Sequence, residues 1–136
     1  MPLVADLQVL LRSMEPTLNP GTYVFATLPE GKRLDPSTII AAVREPEGVS
    51  VVVEDSIAAQ EGLVGVFPCA WITLTVNSDL QAVGLTAAFA SALGKAGISC
   101  NVVAGTHHDH IFVPIHLAKQ ARRELLTLQR QTEEPI

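Results

Sequence analysis

Residues 70–114, AWITLTVNSDLQAVGLTAAFASALGKAGISCNVVAGTHHDHIFVP, leave few choices to the chain around them. Trp71, Thr73 and Thr75 alternate with Ile72, Leu74 and Val76. That period-two run of β-branched and aromatic residues favours a pleated strand. Asn77, Ser78 and Asp79 then stop the strand with side chains suited to capping a helix. Residues 80–96 place Val83, Ala87, Ala90, Leu93 and Ala96 near helical spacing, and Gly97 ends the helix. Two extended segments, 98–104 and 111–113, flank the polar turn 105–110. The unit is therefore strand, loop, helix and hairpin.

The rest of the chain covers this unit or repeats part of it. Leu3, Leu7, Leu10 and Leu11 follow helical spacing, giving a short helix that ends before Pro16. Asn19-Pro20-Gly21 reads as a turn into a strand over 22–28, followed by a loop over 29–37. Extended segments 39–45 and 49–54 surround Pro46-Glu47-Gly48, which predicts a hairpin. Asp55-Ser56 caps a helix over 57–61, stopped by Gly62. Residues 64–67 predict a short strand, with Pro68 marking a bend or bulge. Pro114 opens a last helix whose apolar stripe is Leu117, Ala121, Leu125 and Leu128.

Each hairpin is preceded by a strand and followed by a helix. The pattern suggests a degenerate tandem repeat, with residues 1–64 as an incomplete first copy carrying a leading helix and 65–136 as a complete second copy. A β-α-β-β-α unit that gains one more strand is ferredoxin-like, of the α+β class: an antiparallel sheet with helices on one face.

Composition narrows the function classes. Hydrophobic residues make up 48% of the chain and charged ones 17%, which supplies a sizeable core and excludes disorder. The net charge of −5, with no basic cluster larger than Lys32-Arg33 or Arg122-Arg123, argues against a nucleic-acid partner. No apolar run is long enough to span a bilayer and the amino terminus lacks a secretory pattern, so the expectation is a cytoplasmic protein without a membrane partner. Cys69 and Cys100 on apolar strand-like segments read as buried thiols in a reducing compartment.

Candidate chemistry is sparse. His107, His108 and His110, with Asp109, form a turn that suggests an alternative: a small metal-binding protein or enzyme. A polar hairpin tip with hydrogen-bonded histidines accounts for the same residues. No nucleophile turn, phosphate loop or dinucleotide fingerprint occurs, so the expectation is a non-enzyme without a cofactor. A ligand-free interaction module is a third possibility.

At residues 75–105, TVNSDLQAVGLTAAFASALGKAGISCNVVAG, the chain resembles an ACT domain, a small module that senses amino acids. The matching features are the strand 72–76, the loop 77–83, the helix from Gly84 or Leu85, and the turn 96–98 into the next strand. The whole chain is similar to small stand-alone proteins of two ACT-like repeats, and to the paired ACT domains of aspartate kinases and of CASTOR-type arginine sensors. The resemblance implies tandem ferredoxin-like repeats, a homodimer, and a small-molecule ligand, an amino acid or related metabolite, held between two modules. Carried over residue by residue, it implies a binding edge of Asn77, Ser78, Asp79, Leu80, Gln81, Val83 and Gly84 on one side and Ile98, Ser99, Cys100 and Asn101 on the other. Backbone N–H groups at a helix start would favour a carboxylate, and Asp79 could pair with an ammonium group. Many ACT loops carry a glycine just after the strand; Asn77-Ser78-Asp79 stands there in this chain.

Overall fold

The long apolar alternations all find a place in one antiparallel sheet. The computed structural model describes residues 6–76 and 80–133. Strands β1 (Pro16–Leu28), β2 (Ala41–Glu45), β3 (Gly48–Glu54), β4 (Val66–Leu74), β5 (Asn101–Ala104) and β6 (Asp109–Pro114) lie in the order β2-β3-β1-β4-β6-β5. Helices α1 (Leu7–Ser13), α2 (Asp55–Gln60), α3 (Leu85–Lys95) and α4 (Ala118–Glu133) complete the fold, with 3-10 turns at Pro36–Thr38 and Ile115–Leu117. The first half thus runs strand, 3-10 turn, hairpin, helix, and the second runs strand, helix, hairpin, helix. The short turn at Pro36–Thr38, capped by Asp35, stands where the second half has α3.

The two halves exchange strand segments. Pro16 to Asn19 of β1 pair with Leu74 to Trp71 of β4, beside β6 and β5. Tyr23 and Phe25 of β1 then pair with Cys69 and Val66 of β4, beside β3 and β2. Each half therefore lends the other the outer strand that a ferredoxin-like unit requires. Asn19-Pro20-Gly21, expected as a turn, is instead an irregularity inside one long strand. The register shifts between Asn19 and Tyr23, and Gly21 takes φ +108°, a left-handed conformation that favours glycine. The predicted break at Pro68 is likewise a bulge within β4.

Helices pack on one face of the sheet. Ala70, Ile72 and Leu74 of β4 and Ile111 and Val113 of β6 meet Leu85, Phe89 and Leu93 of α3 and Ala121 and Leu125 of α4. The stripe expected on α4 is the one that packs. α1 joins this cluster through Leu10, Leu11 and Met14, so it precedes the first half in sequence but packs with the second. Asp6 caps α1 by accepting a hydrogen bond from the Val9 amide at 3.0 Å. α4 fastens the exit of α1: Gln129 donates to the Arg12 carbonyl at 2.9 Å and Arg122 to that of Pro16 at 3.2 Å. Under α2 a smaller cluster gathers Val24, Ala26, Val51, Val53 and Ala58.

Candidate functional site

The face of the sheet away from the helices holds the chain's aromatic residues. Tyr23, Phe25, Phe67, Trp71 and Phe112 lie there, and Phe89 alone of the aromatics packs among the helices. Phe112 is fully buried, and none of the helices α1–α4 contributes to the cluster around it. Its cover comes from curvature. Val103 of β5 lines a small cleft together with Phe25 and Ala41 to Val43 of β2, so the two ends of the sheet curl toward each other over the middle. Ring contacts knit this concave face: Tyr23 to Trp71 at 5.4 Å, edge-on, and Phe25 to Phe112 at 5.7 Å, also edge-on.

A polar network sits beside the aromatics where β1 crosses from one half to the other. Asn19 donates from its side-chain amide to the Trp71 carbonyl at 3.1 Å and to the Thr73 hydroxyl at 3.0 Å. Trp71 donates its indole N–H to His110 Nδ1 at 3.0 Å, and Thr73 Oγ1 lies 3.2 Å from the same nitrogen. Since Thr73 accepts from Asn19, its own proton is free to point at His110. The indole N–H can only donate, so it makes Nδ1 the acceptor and assigns His110 as neutral imidazole with its proton on Nε2. Burial and the neighbouring His108 lower the pKa of His110 below its ordinary 6.5, while Asp109 opposes the shift. Burial raises the pKa of the Asp109 carboxyl, against the pull of His110.

These groups give a pH prediction. A histidine whose folded pKa lies below its unfolded value contributes stability above that unfolded value, here 6.5, and loses it as pH falls. Asp109 works in the opposite sense: its raised carboxyl pKa favours the folded state at low pH and costs stability as pH rises through it. The two windows differ, so urea midpoints measured downward from neutrality should first fall below pH 6.5, and the emission of the single tryptophan in the folded protein should change only at the lower pH where His110 itself protonates. His110→Gln should flatten that first limb; an unchanged limb in the variant refutes the assignment.

The histidines of the turn are engaged separately with the fold. His108 Nδ1 contacts the Val76 carbonyl at 3.1 Å, His110 Nδ1 is occupied as above, and the His107 and His108 rings stand 6.4 Å apart. Among the described residues no three His, Cys, Asp or Glu side chains cluster closely enough to hold a metal ion.

The edge expected from the loop and the following strand is only partly visible. Asn77, Ser78 and Asp79 lie outside the described residues. α3 begins at Leu85 and its N-cap is Gly84 at φ +99°, so the cap expected at 77–79 falls on a glycine instead. The space beside Gly84 is filled from within: a Cβ there would meet Leu7 Cδ2 of α1 at 2.9 Å. Leu80 and Val83 are 64% and 82% exposed, large apolar side chains standing in solvent, and Gln81 is exposed too. Across from them, Ile98 is buried in the helix-side core and its amide donates to the Leu93 carbonyl at 3.0 Å. Ser99 is exposed. Cys100 packs against the same core, where burial pushes its thiol up to about 11. Asn101 is exposed at the start of β5 and turns to the concave face. Cys69 and Cys100 are both free thiols.

The concave face itself was not anticipated as a site. Its signal was present in the odd-numbered aromatics Tyr23 and Phe25 and in Phe67, Trp71 and Phe112, but which strands share a face becomes known only from their pairing.

Two family models, each described as an ACT domain, match in tandem over residues 4–70 and 66–125. The chain belongs to the ACT domain family. The two ACT matches overlap at residues 66–70, the part of β4 that completes the first half's sheet. A Vibrio cholerae protein of unknown function, described as a possible transport protein, is 46% identical over 90% of this chain and 95% of its own, with a TM-score of 0.77. The fold is shared more distantly with an Agrobacterium tumefaciens protein (16% identity, 85% of this chain and 89% of that one, TM-score 0.70). It is shared also with the regulatory subunit of aspartate kinase from Thermus thermophilus (10% identity, 85% and 97%, TM-score 0.59). No curated protein matches the chain in sequence. Among the described residues no helix is long and apolar enough to cross a membrane.

Proposed function

We propose that this tandem ACT protein is a regulatory ligand-binding protein, not an enzyme, and that it binds an amino acid or a related small metabolite at an interface between ACT modules. The observation that carries the reading is the joining of two ACT repeats into one sheet, an architecture shared with the regulatory subunit of an aspartate kinase. The binding edge would run along Asn77, Ser78, Asp79, Leu80, Gln81, Val83 and Gly84, with Ser99, Cys100 and Asn101 facing it; Ile98, already engaged inside the fold, would serve as a spacer. Exposed Leu80 and Val83 support an edge that gains cover when a ligand or second module arrives.

A homodimer would supply that second module. β2 and β5 end the sheet as unpaired edges, and edges of this kind are commonly covered by a second chain. The ligand would act by favouring one module geometry over another, and a partner would read the shift. The free thiols support a reducing, cytoplasmic setting. The division at residues 64 and 65 would mark two repeats in sequence, with their strands held in common.

A thermal-shift screen of the twenty amino acids tests the reading. One of them should raise the midpoint, since a ligand at a hundredfold excess over its Kd stabilises by about 2.7 kcal/mol. Asp79→Ala should remove the effect. A flat screen refutes the reading, and stoichiometric metal that is lost on replacing His107, His108 and His110 together would instead favour metal chemistry at that turn.

A further inference from the structure

β4 contains one residue more than its pairing with β1 requires. The register passes from Tyr23↔Cys69 to Phe25↔Val66, two steps along β1 against three along β4. Bulges of this sort re-aim side chains. This one turns two successive residues, Val66 and Phe67, toward the same hollow on the concave face, where Phe25 and Asn101 complete the wall. The hollow measures about 230 Å³ and takes its walls from β1, β4 and β5, and so from both repeats.

Phe67 is the one non-glycine among the described residues with a positive φ, +56°. A bulky side chain in that conformation is strained, and strain of this kind gathers at functional sites. Here the strain sets the Phe67 ring against that of Phe25 at 5.9 Å and a tilt of 58°. At that distance and tilt the two rings touch as an ordinary aromatic pair, and together they give the hollow an aromatic wall. Phe112, packed edge-on against Phe25, lies fully buried behind it.

The wall is also informative in what it carries. Its one polar side chain is the carboxamide of Asn101, which donates and accepts in one plane. Among the described residues no charged side chain lines the hollow. An ammonium or carboxylate placed there would lack a partner, which disfavours a charged occupant.

We propose that this hollow is a binding site for a small neutral molecule with one flat ring and one amide-like edge, the ring lying against the wall formed by Phe25 and Phe67 and the edge pairing with Asn101. The site goes beyond the amino-acid reading above and shares only Asn101 with the edge assigned there. A free amino acid, doubly charged, is the wrong chemistry for it.

Benzamide is a suitable probe, titrated into the full-length ¹⁵N-labelled protein while amide shifts are followed. Saturable shifts centred on Phe25, Val66, Phe67 and Asn101 are expected. Benzoate, of similar shape but charged, should bind weaker by about tenfold or more. Asn101→Leu should weaken benzamide about tenfold through its lost amide pairing. Phe67→Gly, which relieves the backbone strain and so keeps the fold, should abolish saturation. Asp79→Ala should leave benzamide binding unchanged, so that failure of the amino-acid screen and failure of this site are told apart. Absence of saturable shifts at these residues, or equal binding of benzoate, overturns the proposal. So do the same shifts arising from protein concentration alone, which would assign the hollow to a second copy of the chain.

Discussion

Phe112→Ala should lower the free energy of unfolding by about 3–5 kcal/mol, the usual cost of removing a fully buried phenylalanine. The measurement is urea denaturation followed by far-UV circular dichroism. This expectation follows from its position: it is buried among Tyr23, Val52 and Cys69, in a cluster to which none of the helices α1–α4 contributes. Curvature of the sheet, the Phe25 ring and the cross-strand neighbours are what exclude water from it. A cost of only about 1 kcal/mol would mean that the concave face is open in solution and that its aromatics are less than a second core.

Leu10→Ala should cost about 2–5 kcal/mol in the same measurement. α1 has seven residues, too few to hold a helix by backbone hydrogen bonding alone, so its order comes from packing. Leu10 is wholly buried with Met14 against residues of α3, α4 and β4, and Gln129 and Arg122 hold the carbonyls that follow it. A near-neutral substitution would show that α1 is a detachable lid on the second repeat. The same result would free the space at Gly84 that Leu7 now fills.

Much of the fold was legible in the sequence. Strict alternation placed β4, the Pro46-Glu47 turn placed the β2–β3 hairpin, and the stripe Leu117, Ala121, Leu125 and Leu128 placed the inner face of α4. Errors fell where local chemistry and long-range pairing disagree. Pro20 and Gly21 carry every mark of a turn, yet β1 runs through them because both of its ends find partners on β4. Residues 80–84 have helical composition, but Gly84 at φ +99° starts the helix late. The candidate edge was read from the family pattern, and the concave hollow was missed because its walls come from segments far apart in sequence. Periodicity reports which face a side chain takes within a strand; it is silent on which strands become neighbours.

The reciprocal lending of strand segments between repeats has a kinetic side. Asn19 reaches its partner on Trp71 across 52 positions, and until that closure is made neither repeat has its full set of strands. Contacts so distant along the chain carry a loop-closure entropy that must be met before they repay it, and they slow folding. The two repeats are therefore bound to a common fate: neither has a finished folding nucleus to offer the other in advance. With two ACT modules joined by the crossing of β1 and β4, the chain should unfold in a single cooperative transition.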